Sequence, residues 1–364
     1  VSVGPVANLP RLDYSGGATC PSLLLEPQRT NSLIWSEQID NSGWTKINAP
    51  TITSNIATAP DGYGGADGIQ DTDGTSFKRI SQAFSISSNS TVTASVFVKK
   101  ETAETNFGGL VLDFTGGSRN VLFVIMDAVN GTANNSTSSS GSVTIKIEDY
   151  GSYWRLIVTT TDSGSNNSLS LQYFATLSTS STGGIILGTG SVRTVWGFQL
   201  EVGASYATSY IPTLGSAVTR LADSVTKTIS AMSGSGYTST LYFEIEGRFN
   251  PGTIDQVRWY PSANIASRFW IYTNVMGSAA APIGESFPVG NLKHKFIFKA
   301  ESSTAISIFY NGVKKTFSNS ATTGNGYDTL EMYGQNANEG YKVSQILAFP
   351  TALTDQQCIE LTTL

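Results

Sequence analysis

Residues 196–223 read WGFQLEVGASYATSYIPTLGSAVTRLAD, and the rest of the chain is read from this stretch. Trp196, Phe198 and Leu200 alternate with Gly197, Gln199 and Glu201, the two-residue period of a strand with one buried face. Gly203 interrupts the run. Tyr206, Tyr210 and Ile211 follow as apolar anchors on a loop. Pro212 cannot donate to a sheet ladder, so the extended path ends there or lies at an edge. The small and polar residues after it read as a linker. The stretch is therefore the last strand of one β domain and the handover to a second.

Composition agrees. The chain has 364 residues, which favours two domains at roughly 100–200 residues each. Charged residues make up 13 %, against about 25 % in typical soluble domains, and 36 glycines accompany an excess of Ser, Thr and Asn. Short strands, tight turns and hydroxyl-rich faces fit that balance. The net charge is −5, and no basic cluster exceeds Lys99-Lys100 or Lys314-Lys315, which argues against a nucleic-acid partner. No apolar run approaches the roughly 20 residues of a membrane span, so membrane insertion is not expected. Cys20 and Cys358 match no metal-ligand spacing.

Working outward, residues 1–30 carry Pro5, Pro10, Pro21 and Pro27 and read as an extended arm. Leu23, Leu24 and Leu25 need burial, so the arm docks, either on its own domain or on a neighbouring subunit. Residues 31–221 read as a β-sandwich. Strands are expected at Lys78–Ile86, Thr91–Lys99, Gly109–Phe114, Val121–Asp127, Val143–Tyr150, Tyr153–Thr160, Leu169–Ala175 and Val192–Glu201. Residues 130–141, NGTANNSTSSSG, read as a polar loop. Residues 222–364 form a second β-sandwich. Its strands are expected at Leu241–Phe249, His294–Lys299, Ala305–Tyr310, Val313–Phe317 and Tyr341–Phe349. Asn311-Gly312 supplies a type I′ turn, and Thr354 with Gln357 makes a capping box. The expected class is all-β, two jelly-roll-like sandwiches in tandem behind the arm.

The chemistry such a chain can carry is limited. His294 is the sole histidine and reads as a surface strand residue, with no Gly-x-Ser-x-Gly elbow beside it. Glu244 and Glu246 share a strand face, but the reading favours a solvated face over a glycosidase pair. Asp61, Asp67, Asp71 and Asp73 lie in an oxygen-rich run that could hold a structural calcium ion, although ordinary turns have the same composition. No other cofactor is expected. Aromatic rings stack on the apolar faces of sugars while amides and carboxylates take the hydroxyls. Trp154 and Trp196 lie in strong strand patterns and are assigned to the core. Trp259, Tyr260 and Trp270 fall in less regular stretches. The loop Tyr333–Tyr341 adds Gln335, Asn336 and Asn338 between its two tyrosines. These eight residues are the expected ligand-binding set.

The opening PRLDYSGGATCPSLLLEPQRTNSLIWSEQIDNSGWTK and the closing WGFQLEVGASYATSYIPTLGSAVTRLAD, which bracket residues 10–223, resemble a module found in bacteriophage tail fibre and other virion proteins. The bracketed region is similar to carbohydrate-binding jelly-roll modules. Residues 236–364 resemble the concanavalin A-like, laminin-G-like group through Tyr310-Asn311-Gly312 and ILAFPTAL at 346–353. The resemblance implies an extracellular virion-surface protein, a tail or head fibre component. It would be commonly trimeric, would contact other virion proteins and would bind host cell-surface polysaccharide without catalysis. A glycan depolymerase and a purely structural virion protein stand as the alternatives.

Overall fold

The computed structural model describes residues 10–14, 21–137, 142–178, 189–190, 192–229, 238–247, 257–262, 268–272, 275–278, 281–286, 292–302, 305–318, 326–334 and 340–363. The described chain is all-β, built from antiparallel sheets with one short helix, and divides into two compact units.

The first unit comprises Arg29–Arg220. One six-stranded sheet runs in the order Thr132–Thr137, Asn120–Asp127, Phe107–Thr115, Ser168–Ser178, Arg79–Ser85, Thr45–Ile47. The other runs Val143–Tyr150, Tyr153–Thr161, Thr91–Lys99, Arg193–Val202, Gly64–Gln70, Thr51–Thr58. Alternate residues of the central strands, Leu110, Leu112 and Phe114 from one sheet and Val92, Ala94, Val96 and Val98 from the other, meet in a single core. The polar stretch expected as a loop is a strand over Thr132–Thr137, paired with Asn120–Asp127. An edge strand needs a backbone ladder on one side only, so its polar side chains need no core.

The strand Arg193–Val202 departs from simple alternation. Its pairing with Thr91–Lys99 shifts register between Trp196 and Gln199, and Gly197 sits there at φ +65°. This β-bulge turns the strand over. Val195, Phe198 and Leu200 enter the inter-sheet core, whereas Trp196 packs on the opposite face with Phe97, Tyr153 and Ala59. Trp196 is buried, but not on the face it was expected to share with Phe198 and Leu200.

The two motifs that bracket the first unit meet in space. The Asn31 amide donates to Phe198 O (3.0 Å) and Ile211 O (2.9 Å), and its oxygen accepts from Leu200 N (3.0 Å) and Leu33 N (3.2 Å). Gln199 accepts from Ile211 N at 2.7 Å, and the Glu201 carboxylate accepts from both the amide and the hydroxyl of Thr208. A buried polar side chain costs little only when its hydrogen bonds are made. The loop 203–213 supplies these bonds, so its path follows from the polar face of the strand it covers.

The second unit comprises Leu221–Leu364 together with the described part of Pro5–Gln28. Its seven-stranded sheet runs Leu12–Asp13, Ser22–Leu25, Tyr341–Phe349, Ser239–Gly247, Leu292–Ala300, Ala305–Tyr310, Val313–Ser318. The facing sheet runs Ser224–Thr228, Thr329–Tyr333, Val257–Tyr260, Phe269–Tyr272, Val275–Ser278, Ala281–Ser286. The segment expected as a separate arm is thus built into this unit. Leu23, Leu24 and Leu25 pair with Val343, Lys342 and Tyr341, and Leu25 is fully buried in the core. Arg11 grips the carboxylates of Glu26 and Asp223. The backbone of Glu26 lies so close to Gly334 that a Cβ there would come within 2.3 Å of its carbonyl oxygen.

Asn311 and Gly312 take φ of +45° and +81° between the paired Tyr310 and Val313, as the I′ turn requires. The helix Asp355–Thr362 starts at the Thr354–Gln357 capping box and packs Cys358 against Tyr242, Ile297 and Phe309. Burial pushes the Cys358 thiol up to about 11, which keeps it protonated and unreactive at neutral pH. Cys20 lies outside the described residues.

Candidate functional site

Across the strands Thr329–Tyr333, Val257–Tyr260 and Phe269–Tyr272, alternate side chains face opposite ways. Val257, Trp259, Phe269, Ile271, Leu330 and Met332 enter the core. Arg258, Tyr260, Trp270, Glu331 and Tyr333 take the other face. Arg258 stands directly opposite Trp270 on one side and Glu331 on the other, so ring, guanidinium and carboxylate form one row over three strands. The Arg258 guanidinium lies 5.3 Å from the centre of the Tyr333 ring. The Tyr260 hydroxyl donates to Glu331 Oε1 at 2.7 Å.

Glu331 Oε2 lies 3.6 Å from Arg258 Nη1, longer than a hydrogen bond, and this buried oxygen accepts no hydrogen bond. The Arg258 guanidinium beside it meets its charge as an ion pair. Burial, followed by the nearby carboxylate, raises the phenols of both Tyr260 and Tyr333, which stay protonated as donors. The row therefore offers two half-buried rings, a cation, a carboxylate and phenolic hydroxyls.

Three of the eight expected ligand residues, Tyr260, Trp270 and Tyr333, belong to this row. Trp259 does not. It is fully buried, with Phe269, Phe298 and Tyr327 at centroid distances of 5.4, 6.4 and 5.0 Å, so its faces are already covered by protein rings. Tyr341 is likewise core, 2 % exposed. Gln335, Asn336 and Asn338 lie outside the described residues. Arg258 and Glu331 were not among the expected residues. The alternation of VRWY at 257–260 and TLEMY at 329–333 is the signal that pairs them with Tyr260 and Tyr333.

The four aspartates do not converge. Asp67 accepts from Ile39 N (2.9 Å) and Asn55 N (2.8 Å), Asp71 from Gly74 N (3.1 Å), and Asp61 from Tyr63 N (3.0 Å). Asp73 accepts from Thr75 N and pairs with Lys78, whose hydrogen bond holds its carboxyl down to about 2. Each serves its own turn, and the run carries the strand Gly64–Gln70 in its middle. Among the described residues no group of three or more His, Cys, Asp or Glu side chains could hold a metal ion.

His294 is 1 % exposed, not a surface residue. It lies on the same face of its strand as Phe296, its Nδ1 is 2.9 Å from the Tyr310 hydroxyl, and burial lowers its pKa. Glu244 is half-buried and accepts from Ser344 Oγ at 2.9 Å with Lys293 at 3.6 Å, while Glu246 is exposed. Among the described residues no helix is long and apolar enough to cross a membrane. No family model matches the chain, and no curated protein does.

Proposed function

We propose that this chain is a non-catalytic adhesion protein that holds a cell-surface polysaccharide on the outward face of the second unit, along Trp270, Arg258, Glu331 and Tyr333. The observation that carries the reading is the row itself. Aromatic rings beside a guanidinium, a carboxylate and phenolic hydroxyls suit a ligand with apolar ring faces and many hydroxyls. The resemblance of the bracketing motifs to phage fibre modules supports a place on a virion surface, with host polysaccharide as the ligand, other virion proteins as neighbours and a trimer as the assembly.

The test is an array of bacterial surface polysaccharides probed with the intact chain, then with Trp270→Ala and Glu331→Gln. Stacking is worth about 1 kcal/mol per ring, so Trp270→Ala should weaken binding roughly five-fold with little change in melting temperature. Glu331→Gln keeps the shape and an acceptor for Tyr260 and should weaken the same glycans. Full affinity in both variants for a glycan that the chain binds would overturn the assignment to this face.

A further inference from the structure

One sheet of the first unit ends on the strand Val143–Tyr150, and among the described residues no strand pairs with its outer side. Its pairing with Tyr153–Thr161 keeps one register throughout, from Val143 opposite Thr160 to Tyr150 opposite Tyr153. The two-residue turn Gly151-Ser152 makes Tyr150 and Tyr153 a hydrogen-bonded pair. Bonded pairs then recur at Glu148, Lys146 and Thr144. Asp149, Ile147, Ile145 and Val143 turn their N–H and C=O groups to the open side. Thr144, Lys146, Asp149 and Tyr150 are exposed, so this edge lies at the surface.

A long regular edge is a template for another strand, and proteins usually spoil such edges with bulges, prolines or short strands. The far end of the same sheet follows that rule, since Thr51–Thr58 loses register twice against Gly64–Gln70. Val143–Tyr150 has no bulge and no proline. Ile145 and Ile147 pack toward the core, which leaves Thr144, Lys146, Glu148 and Tyr150 on the outer face. Lys146 Nζ lies 2.7 Å from Glu148 Oε1 on that face, and Tyr150 is 47 % exposed.

This outer face is complementary to itself. A second copy laid antiparallel alongside, about a two-fold axis through Ile147, sets Lys146 against Glu148 of the copy and Glu148 against its Lys146. Each charge then has an opposite charge along its own strand and another across the contact. Thr144 meets Tyr150 of the copy at both ends, and the open backbone groups of Ile147 face their own equivalents as a bonded pair. The next register on one side sets lysine against lysine, and the next on the other sets glutamate against glutamate. Opposite charges directly across support a strand pair and like charges oppose it, so one register is selected. Self-complementarity is what a two-fold contact requires. We propose that Val143–Tyr150 is the surface through which two copies of this chain pair edge to edge, joining their six-stranded sheets into one. The contact is independent of the face formed by Trp270 and Glu331, and it doubles whatever assembly the rest of the chain makes.

Sedimentation velocity of the intact chain tests it, over concentrations of about 1–300 μM. The mass of the natural chain should double with concentration. Lys146→Glu sets glutamates against glutamates and should weaken the pairing at least about tenfold. Glu148→Lys should do the same with lysines. Mixed in equal amounts, the two variants face one another with opposite charges, and the doubled mass should return. Ile147→Pro removes the central N–H from the open side without breaking a bond to Tyr153–Thr161. It should also halve the mass, which keeps the test decisive if Glu148→Lys fails to fold beside Arg155. A natural chain that never doubles, a doubled mass that survives Lys146→Glu or Ile147→Pro, or folded charge variants that pair no better mixed than alone would each overturn the proposal. Trp270→Ala should leave the mass unchanged, so failure here is distinguishable from failure of the polysaccharide face.

Discussion

Leu25 lies about 200 residues upstream of the body of the second unit, yet it is fully buried in that unit's core beside Tyr341 and Val343. Replacing it with alanine removes three buried carbons and leaves a cavity between sheets. For a fully enclosed leucine the cost is about 2–5 kcal/mol. That is a large part of the roughly 5–15 kcal/mol that holds a domain folded. At about 2–4 °C per kcal/mol for a domain of 150–250 residues, the melting temperature of the second unit should fall by between roughly 4 and 20 °C. Hydrogen exchange read by peptide is the suitable assay, because it separates the units. Protection in Tyr341–Phe349 and Ser239–Gly247 should drop by about 30-fold or more, since each 1.4 kcal/mol is a factor of ten. Protection in Thr91–Lys99 and Phe107–Thr115 should not change. Arg11→Gln should act in the same direction, because it leaves Glu26 and Asp223 near one another without their cation. Unchanged protection in Tyr341–Phe349, or a loss spread evenly over Arg29–Arg220, would refute the argument that this N-terminal strand belongs to the second unit.

Gly197→Ala should destabilise the first unit by about 1–3 kcal/mol, because φ is +65° there and the new Cβ would lie 2.9 Å from Phe97 Cδ2; denaturant midpoints measure it. Trp259→Ala should cost the second unit about 3–5 kcal/mol, as expected for a fully buried ring, while any glycan affinity retained by the folded fraction stays unchanged. Hydrogen bonds from Lys299 and then Lys314 hold the Asp355 carboxyl below its usual range. A lowered folded pKa means the stabilisation is fully present above the unfolded value of about 3.9 and is lost as pH falls through the folded value. Asp355→Asn should therefore be less stable than the natural chain at pH 7, with the gap closing toward about pH 2. Urea midpoints showing the same gap at both ends would contradict the pairing.

The sequence by itself determined the class and most of the strands, because period-two alternation and turn chemistry are local. Thr91–Lys99, Val143–Tyr150, Ala305–Tyr310 and Tyr341–Phe349 lie where alternation placed them, and Asn311-Gly312 and Thr354–Gln357 act as their chemistry dictates. Part of the candidate face was also legible, since Tyr260, Trp270 and Tyr333 were named from irregular aromatic stretches. Their separation from Trp259 was not. Adjacent residues on a strand face opposite ways, and only the packing of Phe269, Phe298 and Tyr327 decides which of the two tryptophans is enclosed. Arg258 and Glu331 gained their meaning from a cross-strand register 73 residues apart in sequence. The same holds for Ser22–Leu25, whose partner strand begins more than 300 residues later, and for Trp196, which a bulge at one glycine turns to the outer face. Alternation states which residues share a side of a strand. Which side meets the core, and which strand lies alongside, is settled by pairings between distant segments, and these exist only once the sheets have formed.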